Sequence, residues 1–315
     1  MNLSRTGIMP VLFALLYILS GCSAQKDDRP TGKIVAWGLD DYGQVSNLPL
    51  GDDFVAVAAG NKHSIALRKD GRIAAWGYDS SGQVSETPTN DGYTAISTSY
   101  NHNLALHRDG TISAWGLDMS DMVYNTPTGN DFVAIAAGFN TSMALRKNGT
   151  GVIWGGPYGR GTELSDVQGI SYNNDFTDIA IFNSQHMGLT RDGRIIAWGS
   201  DLMGSVDNTP ASDGFLSMSA GGRHGLAIAA DSTITGWGWD LRNEVSGKPD
   251  GPNFVSLSAG FAHNLALDAD GRIHVWGWSR GNHNQVEHTP ETSGFIYISA
   301  GTYHNLAIQK SGVNE

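Results

Sequence analysis

The chain has 315 residues, 41 of them glycine, a hydrophobic fraction of 40% and a formal net charge of −11. That length and apolar content suffice for a sizeable core, and the acidic balance argues against a nucleic-acid partner, whose phosphates select a basic stripe. Cys22 is the single cysteine, which excludes an intrachain disulfide.

At the N-terminus, Arg5 precedes an apolar run from Ile8 to Leu19. The run is about half the ~20 residues of a spanning helix. It reads as a secretory signal over residues 1–21, with small residues before the cleavage point. The tetrad Leu19-Ser20-Gly21-Cys22 resembles a bacterial lipobox. That resemblance implies cleavage before Cys22 and lipidation of its thiol. Ser23 after the cysteine resembles lipoproteins sent to the outer membrane. Residues 22–31 then read as the lipidated cysteine and a polar tether. The expected location is the bacterial cell envelope, at the outer membrane rather than the inner one.

From Gly32 onward the chain repeats. Trp-Gly occurs at Trp37, Trp76, Trp115, Trp154, Trp198, Trp237 and Trp276, at spacings of 39, 39, 39, 44, 39 and 39 residues. A period near 40 marks a stacked or circular architecture. The first complete unit holds FVAVAAG (54–60), HSIAL (63–67), the Asp70-Gly71 turn and RIAAWG (72–77). These short apolar runs between turn residues read as strands, and no segment carries a long helical period. The pattern predicts an all-β, seven-bladed propeller in one domain, 32–315. The last unit, HNLAIQKSG (304–312), stops before any Trp strand. GKIVAWG (32–38) is the strand it lacks, so the two ends are expected to close the ring and remove the open sheet edges.

Recurrence also assigns the tempting polar residues. His63, His102, His186, His224, His263 and His304 share one repeat position, where the third unit has Thr141. A residue needed once per blade reads as a stabiliser of its turn, not as a catalyst or a ligand. Asp40, Asp79, Asp118, Asp201 and Asp240 follow Trp-Gly and read as turn residues that bond backbone amides. The tryptophans read as packing between blades. The sequence carries no nucleophile elbow and no phosphate loop, since GGPYGRG (155–161) lacks the Lys-Ser/Thr pair. No cofactor, metal or catalytic residue is therefore expected. The fourth unit departs most, with five extra residues in 155–176.

Positions where the repeats disagree are free to build a site. Before each histidine lie Tyr100, Phe139, Arg223, Phe261 and Tyr303; after Trp-Gly lie Tyr78, Trp239 and Trp278. Turns rarely need large aromatics, and aromatics with arginine are enriched at binding hot spots. If these loops share a face, it is the expected binding surface.

The pairing of Ala-Gly-x-x-His-x-Leu-Ala-Leu with Trp-Gly resembles the repeat of the regulator of chromosome condensation family. The compact repeats are similar to those of the propeller-type β-lactamase inhibitory proteins. The second resemblance implies contact-bearing loops at Tyr100, Phe139, Arg223, Phe261 and Tyr303, with Tyr78, Trp239 and Trp278 added from the residue pattern. It suggests a non-enzymatic, monomeric, lipid-anchored envelope protein that binds a protein partner in an inhibitor-like manner, either a β-lactamase or another envelope enzyme. Two alternatives stand beside it. One is a propeller that binds or cleaves a saccharide or peptide, using acids such as Asp118, Asp121 and Asp240. The other is guanine-nucleotide exchange, against which the signal sequence and acidic balance weigh.

Overall fold

In the computed structural model, residues 27–167, 175–278 and 283–312 are described. The signal segment and Cys22 lie outside them. The runs read as strands are strands. β1 (Gly32–Gly38) opens the chain, and β2 (Phe54–Ala59), β3 (His63–Arg68) and β4 (Ile73–Gly77) form the first complete unit as an antiparallel meander. Gly71 makes the tight β3–β4 turn with φ +89°; a Cβ there would lie 2.5 Å from the backbone nitrogen of Gly92. Only glycine meets both demands.

The same three-stranded meander recurs along the chain. The last strand, His304–Lys310, pairs along its whole length with β1, Gly32 opposite Lys310 and Gly38 opposite His304. The N-terminal strand thus completes the C-terminal unit. A single pair, Gly32 with Phe54, also ties this unit to the first.

The first strand of each unit touches the first strand of the next, and Phe295–Ala300 of the last unit touches β2. The core is divided accordingly. Among the described residues seven apolar clusters each join two consecutive units, and each contains one of the Trp-Gly tryptophans. Trp76, for example, packs with Ile34, Phe54, Leu306 and Ile308, sealing the last unit against the first. The tryptophan side chains work between blades because a three-stranded sheet has too little area to bury its own faces.

Two details go beyond the reading. Within residues 27–31, the end of the segment read as a polar tether, Arg29 is tied to the fold. Arg29 donates to the carbonyl oxygen of Thr94 at 2.9 Å and to both Asp27 carboxylate oxygens. The guanidinium is neutralised locally, so it can lie against the sheet. The second concerns the extra residues after Trp154. They add a short fourth strand, Thr162–Glu163, to the sheet of Phe132–Ala137 and its partners, and insert Leu164 fully buried into the adjoining cluster. Residues 168–174 of this segment lie outside the described ones.

Candidate functional site

The strand register decides whether the variable loops meet. Because β3 starts where β4 ends, with His63 opposite Gly77, the residues before the histidine and after Trp-Gly lie at one end of the unit, here called upper. Tyr78 N–H donates to the Lys62 carbonyl at 2.9 Å, and the same bond joins Leu117 to Asn101, Ser200 to Ser184, Trp239 to Arg223, Trp278 to Ala262 and Leu39 to Tyr303. The loops of neighbouring units are also tied together: Phe261 N–H donates to Gly301 O, and Thr302 N–H to Gly60 O. Both variable sets therefore share the upper face.

On that face the aromatics meet in pairs. Tyr100, 39% exposed, stands edge-on to Phe139 at 4.7 Å between ring centroids. Phe261 and Tyr303 lie 6.4 Å apart. The exposed Arg223 guanidinium covers Trp239 at 5.4 Å, and Arg242 covers Trp278 at 5.1 Å. Lys62 sits 4.8 Å from the Tyr42 ring and 5.7 Å from Tyr78, which are themselves 4.7 Å apart. Such contacts hold half-buried side chains in fixed positions without removing them from solvent. The sequence reading passed over Tyr42, Arg242 and the exposed Met119, Tyr124 and Leu241. Its signal was available, since these follow Trp-Gly by a few residues in their own units.

The repeated histidines work differently from the reading. They stabilise the fold, but by reaching out of their own turn. Nε2 of His63 meets Asn103 Oδ1 of the next unit at 2.8 Å, His224 meets Asn264 at 2.6 Å, and His263 meets Asn305 at 2.7 Å. His102 and His304 use Ser142 and Ser64 of the next unit at 2.9 and 2.8 Å. The acceptor amides are oriented in turn: Asn103, Asn264 and Asn305 each donate to a loop carbonyl that most of the tryptophan N–H groups also approach, as Asn103 and Trp115 do at Gln83 O. Burial pushes these imidazoles down to about 4, and His304 to about 3. They are neutral struts at ordinary pH.

The post-Trp-Gly acids are turn residues, as read. Asp79 Oδ1 accepts from Val84 and Ser85 N–H, and Asp240 from Val245 and Ser246. Asp118 is engaged in the same way by Val123. Neither it nor Asp240 lines the central cavity of about 650 Å³, and nor does Asp121. That cavity runs down the axis between the first strands. Gly60, Tyr100, Phe261 and Thr302 line its upper end, and Pro30 and Phe295 its lower part. Its wall carries Asp178, which the sequence reading did not single out. Burial pushes Asp178 up to about 6, opposed by the Ile179 N–H, which its carboxylate accepts at 2.8 Å. No second carboxylate contributes to that shift; Asp268, the other acid of the lining, is bonded to His274.

This architecture, a circle of antiparallel three-stranded sheets latched by repeated side chains, defines a β-propeller. The family pattern for the regulator of chromosome condensation (RCC1) repeat matches residues 54–83 and 254–285. No curated protein sequence matches the chain. Human WBSCR16 has a similar structure at 16% identity and a TM-score of 0.73, covering 90% of this chain and 100% of that one. Prp20p from Saccharomyces cerevisiae is similar at 16% identity and 0.70, covering 91% and 93%. The CRINKLY WD40 ectodomain of the Arabidopsis thaliana receptor kinase ACR4 is similar at 18% and 0.66, covering 82% and 93%. The chain is a β-propeller with two segments that match the RCC1 repeat.

Proposed function

We propose that this propeller is a lipid-anchored protein of the bacterial envelope that binds a protein partner through its upper face and catalyses no reaction. The observation that carries the reading is the set of pre-stacked aromatic and cation–aromatic pairs on that face: Tyr100 with Phe139, Phe261 with Tyr303, Arg223 with Trp239, and Tyr78 and Trp278 under Lys62 and Arg242. Side chains already ordered lose little entropy on binding. Structural relatives add support. Prp20p is described with binding properties toward Gsp1p and histones, and yeast RCC1 as bound by Kap60. Here the acidic balance and the signal pattern favour an envelope protein as partner, such as a β-lactamase or another enzyme inhibited by occlusion.

The anchor agrees with this orientation. The chain enters at the lower end, where Gly32 pairs with Lys310. Cys22 is five residues from Asp27, a reach of roughly 17 Å at full extension. A lipid on Cys22 would hold the lower end toward the membrane and turn the aromatic face away from it.

The test immobilises the full chain and offers it an envelope extract, with Phe261→Ala/Tyr303→Ala as control. A partner retained by the native chain and lost by the variant, with melting temperatures within about 3 °C of each other, is the expected result. If the variant melts far lower, these residues are core and the surface reading fails. Retention of glycans in place of proteins would transfer the face to a saccharide. Cys22→Ser should release the chain from membranes into the soluble fraction without changing what it captures.

A further inference from the structure

The central cavity has a chemistry that the upper face does not need. The third position of each unit's first strand is equivalent by register: Ala56, Ala95, Ala134, Asp178, Ser217, Ser256 and Tyr297. Small residues occupy five of the seven places, and Asp178, Ser217, Ser256 and Tyr297 line the cavity. Asp178 and Tyr297 are the exceptions, and they stand close enough to influence each other's charge. An acid at a position that needs only a small side chain is a costly choice. A buried carboxylate without a counter-charge is disfavoured by desolvation unless something pairs with it.

No cation of the protein pairs with Asp178 among the described residues. Its carboxylate accepts the Ile179 N–H, and no ion pair to it is formed. Arg29, the nearest candidate from the N-terminal segment, is engaged with Asp27 and the Thr94 carbonyl. One unit further round the ring, the buried Ser217 hydroxyl has no hydrogen-bond partner. An unpaired carboxylate and an unpartnered hydroxyl thus occupy equivalent places on adjoining units at the wall of a cavity of about 650 Å³, whose other walls mix Ile, Leu, Val and Ala with Ser and Thr and carry one further acid, Asp268. Apolar surface joined to convergent polar groups is the usual form of a small-molecule site.

We infer that the axial cavity binds a small organic monoammonium ion, whose N–H groups donate to the Asp178 carboxylate and the Ser217 hydroxyl oxygen while its apolar body fills the channel. A metal dication fits less well, because a lone carboxylate supplies too few oxygen ligands. The inference stands apart from the upper face and survives if that face binds no protein.

Titration calorimetry on the full chain tests it, with methylammonium, butylammonium and benzylammonium as probes, and butanol and benzyl alcohol as uncharged counterparts. At least one ammonium should saturate one site per chain, and neither alcohol should. Asp178→Asn should weaken that binding by at least about tenfold, as loss of a buried charge pair does. Ser256→Leu, which fills the cavity without touching the carboxylate, should abolish it, and a retained cooperative melt shows that each variant folds. Affinity should also fall below pH 6 as Asp178 protonates. Of the other groups at the cavity, Tyr297 lies close enough to feel the charge of Asp178, Asp268 is bonded to His274, and Ser217 stands on the adjoining unit, while Arg29 is paired with Asp27. Failure of all three ammonium ions to saturate the folded chain overturns the inference, as does equal binding by Asp178→Asn.

Discussion

His63 is fully buried, and its Nε2 lies 2.8 Å from Asn103 Oδ1 and 2.9 Å from Thr98 Oγ1. Protonating it would place a charge out of reach of water, a penalty that Asn103 and the nearby Asp79 only partly offset, so its pKa falls from 6.5 to about 4. His102, His186, His224 and His263 are held near the same value and His304 lower still. Between pH 6.5 and 4 the unfolded chain binds protons at these sites and the folded chain does not. Stability present above 6.5 is therefore lost as pH falls through that window, each histidine contributing about 1.4 kcal/mol per pH unit at most. Asp178 acts in the opposite sense, since its raised pKa lets the folded state take a proton between about 6 and 4; burial raises Glu163 and Glu244 as well, but these are three groups against six. Melting curves should thus shift steeply downward from pH 6.5 to 4, and His63→Gln should flatten the slope by about one proton. A melting temperature flat across this range would contradict neutral buried histidines. Recurrence in the sequence was enough to separate these residues from catalysis. Their partners were not legible, because Asn103 meets His63 only through the packing angle between units, which no local pattern encodes.

The segment between Trp154 and Phe176 shows what an insertion does to a unit. Elsewhere the indole N–H finds a loop carbonyl 32 residues earlier in the chain, as Trp76 does at Gln44 O and Trp276 at Glu244 O; Trp37 uses Gln285 O across the ring closure. The insertion occupies the place of that loop ahead of Trp198, whose buried Nε1 has no partner among the described residues. In compensation Leu164 enters the cluster of Met143, Ile153 and Trp198 and lies against Gly151, where a Cβ would come within 2.3 Å of its side chain. Leu164→Ala should cost about 2–5 kcal/mol, the range for emptying a tightly filled core site. Tyr124→Ala, on a loop side chain 71% exposed, should change stability by less than about 0.5 kcal/mol. Denaturant titration of both variants separates an anchored insertion from a loose one; equal small effects would mean that Leu164 is dispensable. The sequence showed the extra length of this unit. It did not show the added strand at Thr162–Glu163, because two polar residues carry no periodic signal. Asp178 was equally easy to miss, although its signal lay in the alignment of the units, as the one acid in a column with five small residues and Tyr297.

At the scale of the molecule, stability depends on a circle that one strand closes. Aligning the units left a Trp strand missing at the C-terminus and one to spare at the N-terminus, so the closure was readable from the repeat phase. β1 pairs over seven residues with His304–Lys310 and contributes Ile34 to one inter-unit cluster and Trp37 to the next. Burying each of these side chains is worth about 1.5–3 kcal/mol. Yet the larger consequence of removing β1 is geometric. The strand His304–Lys310 would become an edge with unpaired N–H and C=O groups, and Leu306 and Ile308, both fully buried in the closed ring, would face water. Exposed apolar edges of this kind pair with other chains. Residues 27–31 belong to the same closure, since Arg29 fastens the entering segment to Thr94 on the second unit. A chain lacking residues 27–38 should therefore self-associate, giving larger species than the intact chain by light scattering and a broadened, less cooperative melt. Adding a synthetic peptide of residues 27–38 should restore the size and melt of the intact chain, because it supplies the missing strand along with both side-chain anchors. The same peptide with Trp37→Ala and Ile34→Ala should pair its backbone but fail to restore the melt, which separates edge pairing from cluster filling. A truncated chain with the size and melt of the intact one would show that neighbouring units hold their angle without the closing strand. The propeller would then be stabilised unit by unit, not as a ring.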